Sequence, residues 1–201
     1  PDGDLIDYRL TSGPLGMTIE SATGLITWDA PRVGLQFDGV NDFLMTPNLR
    51  DQFADESVTL ELWFKPDAAG VVVAELGQPA LNNPVWHDSQ LEVLATGEVR
   101  ARVWNLSSVS LGKVAFGTWH HLALRYDKST SKLDALLDGT PSASIQGDRA
   151  APWESGYALY YAFGAADTTN MGSGAYFRGT LHDVRVWNRA RTTQEILADM
   201  G

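Results

Sequence analysis

The sequence predicts an all-β fold: an antiparallel two-sheet sandwich closed by one short helix at the C-terminus. Three observations carry it. Apolar stretches are short and alternate apolar with polar or small residues at period two, as a strand with one buried face does. Nineteen Gly and nine Pro lie scattered between these stretches, in the places where turns need them. Only one segment carries a helix start signal with apolar residues behind it, and it comes last.

Taken in order, Gly13–Ile19 and Thr23–Trp28 read as two short strands about a Gly turn, ending at Ala30-Pro31. Strands are expected over Val58–Phe64, Gly97–Trp104 and His121–Tyr126, within a total of about a dozen. Thr96-Gly97 and Asp138-Gly139 lie between such runs, where hairpin turns favour positive φ. At the end, Thr192 with Glu195 three residues later forms a capping box, and Ile196, Leu197 and Met200 follow on one face. So short a helix survives only by packing on the sandwich.

Composition narrows the function. The chain has 201 residues with 15 Lys+Arg and 25 Asp+Glu, a formal net charge of −10. An acidic chain lacks the clustered cations that nucleic acid and anionic membranes require. No run reaches the ~18 apolar residues of a membrane span, and no signal peptide is read at Pro1. The absence of cysteine excludes disulfides, thiolate metal sites and cysteine nucleophiles.

Two resemblances add to this reading. In residues 1–31, Tyr8, Leu10, Gly13, Pro14, Gly16, Met17, Ile19, Thr23, Gly24, Ile26 and Trp28 match the closing hairpin of bacterial immunoglobulin- or cadherin-like modules. This segment is either an extension packed on the main sandwich or part of another module in a larger, repetitive protein. Residues 32–201 resemble a laminin G-like, concanavalin A-like jelly roll through five ordered motifs. They are Leu35–Leu44 with Phe37-Asp38-Gly39, Val58–Pro66 with Trp63-Phe64-Lys65-Pro66, and Gly117–Asp127 with Trp119-His120-His121. Leu133–Gly139 and Phe177–Ala190 complete the set. The resemblance implies a two-sheet jelly roll, a calcium ion in many members, and recognition of carbohydrate or protein.

An enzyme of this fold class needs paired carboxylates at fixed spacing on a strand, and Glu61 stands alone on its own. His120 and His121 are adjacent in a strand and so face opposite ways, which is a poor arrangement for one metal. Calcium wants several oxygens, and Asp38, Asn41 and Asp42 cluster around a Gly turn, with Asp183 expected nearby because a jelly roll brings its first and last strands together. The alternative there is an Asx turn bonded to its own backbone.

The expected ligand residues are aromatic and cationic. Trp86, Trp104 and Trp153 fall at or beside turns, outside the shared motifs, and offer indoles for sugar stacking, with Tyr157, Tyr160 and Tyr161 as a further aromatic cluster. Trp63, Trp119 and Trp187 fall on motif strands and are read as core or edge packing. Alternation groups Arg100, Arg102 and Trp104 on one strand face, and His121 with Arg125 on another. Gathered on one concave sheet, their guanidiniums suit an acidic polysaccharide. The competing reading pairs the arginines across strands with Asp134 or Glu92.

The leading expectation is a non-catalytic, calcium-binding carbohydrate module, monomeric within a secreted or cell-surface multidomain protein. A structural or protein-adhesion domain without a sugar site is the alternative, and a polysaccharide-active enzyme would need an acid pair that the sequence lacks.

Overall fold

The computed structural model describes residues 7–13, 16–28, 32–53, 57–82, 85, 87–101, 108–142, 144–147, 158–166 and 176–200. The chain divides into two compact units, residues 1–33 and 34–201. In the first, β1 (Met17–Ile19) and β2 (Ile26–Trp28) form an antiparallel hairpin with Thr18 opposite Thr27.

The second unit runs β3 (Leu35–Asp38), β4 (Leu44–Met45), a 3-10 turn (Arg50–Gln52), β5 (Val58–Pro66), β6 (Gly70–Leu76), β7 (His87–Val93) and β8 (Glu98–Ala101). It continues with β9 (Val109–Lys113), β10 (His120–Asp127), β11 (Lys132–Leu137), β12 (Thr140–Pro141), β13 (Ile145–Gln146), β14 (Tyr160–Phe163), β15 (Arg178–Trp187) and α1 (Thr193–Ala198). Sheet I has the order β12-β11-β10-β5-β15-β3, with β13 also on β11, and sheet II has the order β4-β14-β6-β7-β8-β9. All these strand pairs are antiparallel, the arrangement of a jelly-roll sandwich.

Alternation decides which side chains enter the core. From β5, Val58, Leu60, Leu62 and Phe64 point inward; Leu122, Leu124 and Tyr126 join them from β10, and Leu133, Ala135 and Leu137 from β11. Sheet II answers with Val73, Leu91, Val99, Ala101, Tyr161 and Phe163. Each fully buried Leu or Phe stabilises the sandwich by roughly 1.5–3 kcal/mol. Both expected hairpin turns form. Asp138 (φ 49°) and Gly139 (φ 75°) are the two turn residues between Leu137 and Thr140, and Gly97 (φ 78°) closes the turn between β7 and β8.

The helix forms with its capping box complete: Thr192 Oγ1 accepts from the Glu195 amide, and the Glu195 carboxylate accepts from the Thr192 amide. Its buried face is narrower than the sequence suggests. Ile196 is fully buried against Ala123 and Leu136 on the outer face of sheet I, while Leu197 is 46% exposed. No helix among the described residues is long and apolar enough to cross a membrane.

Candidate functional site

The outer face of sheet I divides into a half covered by the C-terminal helix and a half beyond its reach, called bare for the lack of that helix. Its side chains are the residues that alternate with the core: Thr59, Glu61, Trp63 and Lys65 on β5, and His121, Ala123 and Arg125 on β10. On β15 they are Thr180 and His182, then Arg185 and Trp187 after a bulge at which Asp183 takes a φ of 51°. The covering element is short. Six helical residues rise about 9 Å, whereas the nine residues of β5 run about 30 Å.

The covered half is held by a chain of charges. Arg191, 6% exposed, donates through Nη1 to Glu61 Oε1 and Asp199 Oδ2, each at 2.6 Å, and its guanidinium lies 4.3 Å from the Trp187 ring centroid. Asp199 also binds Arg185 Nη1 at 2.8 Å, and Arg185 forks onto Asp183 at 2.9 and 2.6 Å. Thr59 Oγ1 donates to the Arg189 carbonyl and accepts from the Arg191 amide, which tacks the backbone onto β5. Burial pushes the Glu61 carboxyl above its ordinary pKa, against the pull of Arg191. The Arg189 guanidinium, with the Thr192 amide and hydroxyl, holds Glu195 down at about 2.

Two expected ligand residues are taken up in packing and pairing within the protein. Arg125 lies beneath this clasp, forked onto Asp134 at 2.8 Å through both nitrogens and donating to the Arg191 carbonyl at 2.6 Å. Cross-strand pairing, the competing reading, is what the register enforces, since Arg125 stands directly opposite Asp134. His121 is 2% exposed, its ring edge-on to Trp63 at 5.2 Å. Nor do these residues share a groove with Arg100, which belongs to sheet II. There Arg100 stands opposite Glu92 and binds Glu98, two residues back on its own strand, at 3.1 Å. Trp86, Arg102, Trp104, Trp153 and Tyr157 lie outside the described residues. Tyr161 is a core residue, and Tyr160 is half-buried beside Leu76 and Ala162.

The bare half carries what the sequence reading assigned to packing. Trp63 and Trp119 are both half-buried and face outward. Trp63 stands between His121 on β10 and His182 on β15. Lys65 pairs with Thr180 and places its ammonium 5.7 Å from the Trp119 ring centroid, while His182 meets Trp119 edge-on at 6.3 Å. Gln36 pairs with Thr180 at the outer margin and is exposed. The result is a flat patch of two indoles with one ammonium, an imidazole, a hydroxyl and an amide, a surface suited to stacking a planar or ring-shaped ligand.

The expected metal ligands are only partly brought together. Asp38, Asn41 and Asp42 share a turn in which Asp38 Oδ1 accepts from the amides of Val40 (2.7 Å) and Asn41 (3.4 Å), and Asp42 Oδ2 accepts from the Asp38 amide (2.9 Å). β3 does pair with β15, but the register sets Asp38 opposite Arg178. Asp183 lies five residues along β15, about 17 Å away at the strand rise, and is spent on Arg185. Among the described residues no group of three or more His, Asp or Glu side chains is placed to hold a metal. The turn leaves free the second oxygens of Asp38 and Asp42 and the amide oxygen of Asn41. That set fits a calcium ion only as a shallow ligand completed by water.

The carboxylates offer no open acid pair among the described residues. Glu61 and Asp199 converge on one Arg191 nitrogen, an arrangement that sequence spacing could not reveal because it spans most of the chain. Glu61 is 1% exposed beneath the clasp, so water and substrate do not reach it. The pair is structural.

The sequence profile of the Concanavalin A-like lectin/glucanases superfamily, of laminin G type, matches residues 38–197. A comparison with curated protein sequences gives no match. Solved structures share the fold at low identity. The heptameric SAP-like pentraxin of Limulus polyphemus is 15% identical over 80% of this chain and 78% of that chain, with a TM-score of 0.54. The CBM40 of the Ruminococcus gnavus IT-sialidase, solved with α2,3-sialyllactose, is 15% identical over 84% and 96%, with a TM-score of 0.60. A Trypanosoma rangeli sialidase is 18% identical over 98% of this chain, which spans only 32% of that enzyme, with a TM-score of 0.60.

Proposed function

Because the chain belongs to the Concanavalin A-like lectin/glucanases superfamily, we propose that it is a non-catalytic carbohydrate-binding module of a secreted or cell-surface multidomain protein. In that protein a module of immunoglobulin- or cadherin-like type precedes it. The observation that carries the sugar site is the bare half of sheet I, where the half-buried Trp63 and Trp119 lie on the outer face about His182, which pairs with Trp63 across strands and meets Trp119 edge-on. Burial of apolar area against a sugar ring rewards such indoles, and the flanking Thr180, Gln36 and Lys65 supply hydrogen bonds to hydroxyls. Arg100 on sheet II, with Arg102 and Trp104, is a second candidate face. A calcium ion at the Asp38–Asp42 turn, held by Asp38, Asn41 and Asp42, completes the proposal. The test is a glycan array probed with and without chelator, for wild type and Trp119→Ala. Glycan signals that vanish in the variant support the reading, and an array blank for wild type overturns it.

A specific observation favours the second reading, protein adhesion. Edge strand β3 and its turn expose Leu35 (58%) and Val40 (67%), apolar side chains suited to a protein contact. A blank glycan array together with self-association or partner capture lost in Leu35→Ser would select it.

A further inference from the structure

We propose that the bare half of sheet I selects sugar acids, with Lys65 as the residue that reads the ligand carboxylate; this rests on the carbohydrate-binding reading above. The charge arrangement on the sheet is the argument. Arg125, Arg185, Arg189 and Arg191 of the covered half are each bound to a carboxylate of the chain. Lys65 is different: among the described residues it makes no ion pair, and its ammonium rests over the face of Trp119. In a chain of net charge −10, an ammonium kept clear of carboxylates within an aromatic patch attracts an anion from outside.

On the β10 side the carboxylate of Asp138 is already committed. Asp138 accepts from the His121 amide at 2.8 Å and contacts His120 Nδ1 at 2.7 Å, both on β10. The geometry of the patch then sets the ligand class. A pyranose ring laid on Trp119 and Trp63 brings an equatorial carboxylate to the Lys65 side of the indole, while ring hydroxyls reach Thr180 and Gln36. Lys serves as a point charge, so carboxylate position matters more than its orientation, and several uronic acids fit equally. The Trp119–Lys65 contact also holds the ammonium in place before binding, which lowers the ordering cost of the complex.

The experiment uses oligomers of galacturonate, glucuronate and guluronate, each measured against its own methyl ester, which keeps the ring and removes the charge. Titration calorimetry at low salt is expected to show at least one acid binding about tenfold tighter than its ester, as one charge-assisted contact predicts. That preference should shrink in 1 M salt as the Debye length falls from about 10 Å at 0.1 M to about 3 Å. Lys65→Met should erase the preference, so that acid and ester bind alike, Lys65→Arg should retain it, and Trp119→Ala should weaken acid and ester together. Equal affinity for acid and ester, or a preference surviving in Lys65→Met, overturns the inference and leaves the carbohydrate-binding reading standing. A preference that follows Arg100→Ala instead places acid recognition on sheet II and overturns it as well. Wild type that binds neither acids, esters nor any neutral glycan of the array overturns the carbohydrate reading itself.

Discussion

Replacing Arg191 by Met is the sharpest probe of how the C-terminal segment is held. Arg191 forms a salt bridge with Glu61 at 2.6 Å, and Glu61 is 1% exposed. Removing one member of a buried pair leaves the other uncompensated and costs roughly 3–5 kcal/mol. For a domain of this size each kcal/mol lowers Tm by about 2–4 °C, so a fall of roughly 6–20 °C is expected. Glu61→Leu in the same chain should recover at least half of the loss, because well-packed apolar replacements of buried ion pairs are often neutral or stabilising. The effect also has a pH signature. A carboxyl whose folded pKa is raised contributes stability below its unfolded value of 4.5, and that stability is lost as pH rises through the folded pKa. In Arg191→Met the Glu61 pKa climbs further, so the deficit relative to wild type should shrink near pH 4.5 and widen at neutral pH. Thermal melts by circular dichroism from pH 4 to pH 8 read both effects. A single variant within 1 kcal/mol of wild type, or a double variant as unstable as the single, would refute the reasoning.

Ile196→Ala should cost about 2–5 kcal/mol in urea melts, because Ile196 is fully buried against Ala123 and Leu136, whereas Leu197→Ala should stay within about 1 kcal/mol. Glu195, depressed to about 2, contributes stability above its unfolded value of 4.5 that is lost as pH falls through about 2; Glu195→Gln should therefore be less stable than wild type at neutral pH and equal to it below that point. Calcium at about 10 mM should raise Tm a few degrees over EDTA, since a site with Kd near 1 mM yields about 1.4 kcal/mol. Asp38→Ala should abolish that gain, and superimposable curves would remove calcium from the proposal. Deleting residues 1–33 should leave a single cooperative melt from residues 34–201, and an aggregated remainder would show the first unit to be integral.

The architecture was legible because alternation is a local property. Val58, Leu60, Leu62 and Phe64 enter the core as their spacing requires, and the Thr192–Glu195 box forms as written. The same alternation also sets the face that each strand tryptophan takes. Thr59, Glu61, Trp63 and Lys65 are the opposite phase of that strand, so Trp63 had to point outward with the polar residues. Trp63 and Trp119 pack edge-on against His121 and His182, within the reading of core or edge packing, and phase adds that they lie on the outer face. Other features depend on register, which no single strand specifies. Asp38 and Asp183 lie on adjacent strands yet far apart along them, and Arg125 meets Asp134 because of one particular pairing. The position of the clasp was also beyond local reading, since Arg191 and Glu61 are 130 residues apart.

The clasp and the bare patch follow from one another. A sheet face that turns outward must be covered, charged or used, because an exposed flat face with two indoles invites nonspecific association. Here the helix covers one end and its ion pairs consume the arginines there, while the half-buried indoles at the other end lie beyond the helix, beside a lysine that makes no ion pair among the described residues. On the proposed reading, charge keeps the patch soluble in the absence of ligand, and the same charge gives it a preference when ligand arrives. A neutral residue at position 65 would therefore cost the module twice. Lys65→Met is expected both to lose acid preference and to lower solubility, as measured by light scattering at high concentration. A variant that loses neither would mean that the ammonium has no part in either role.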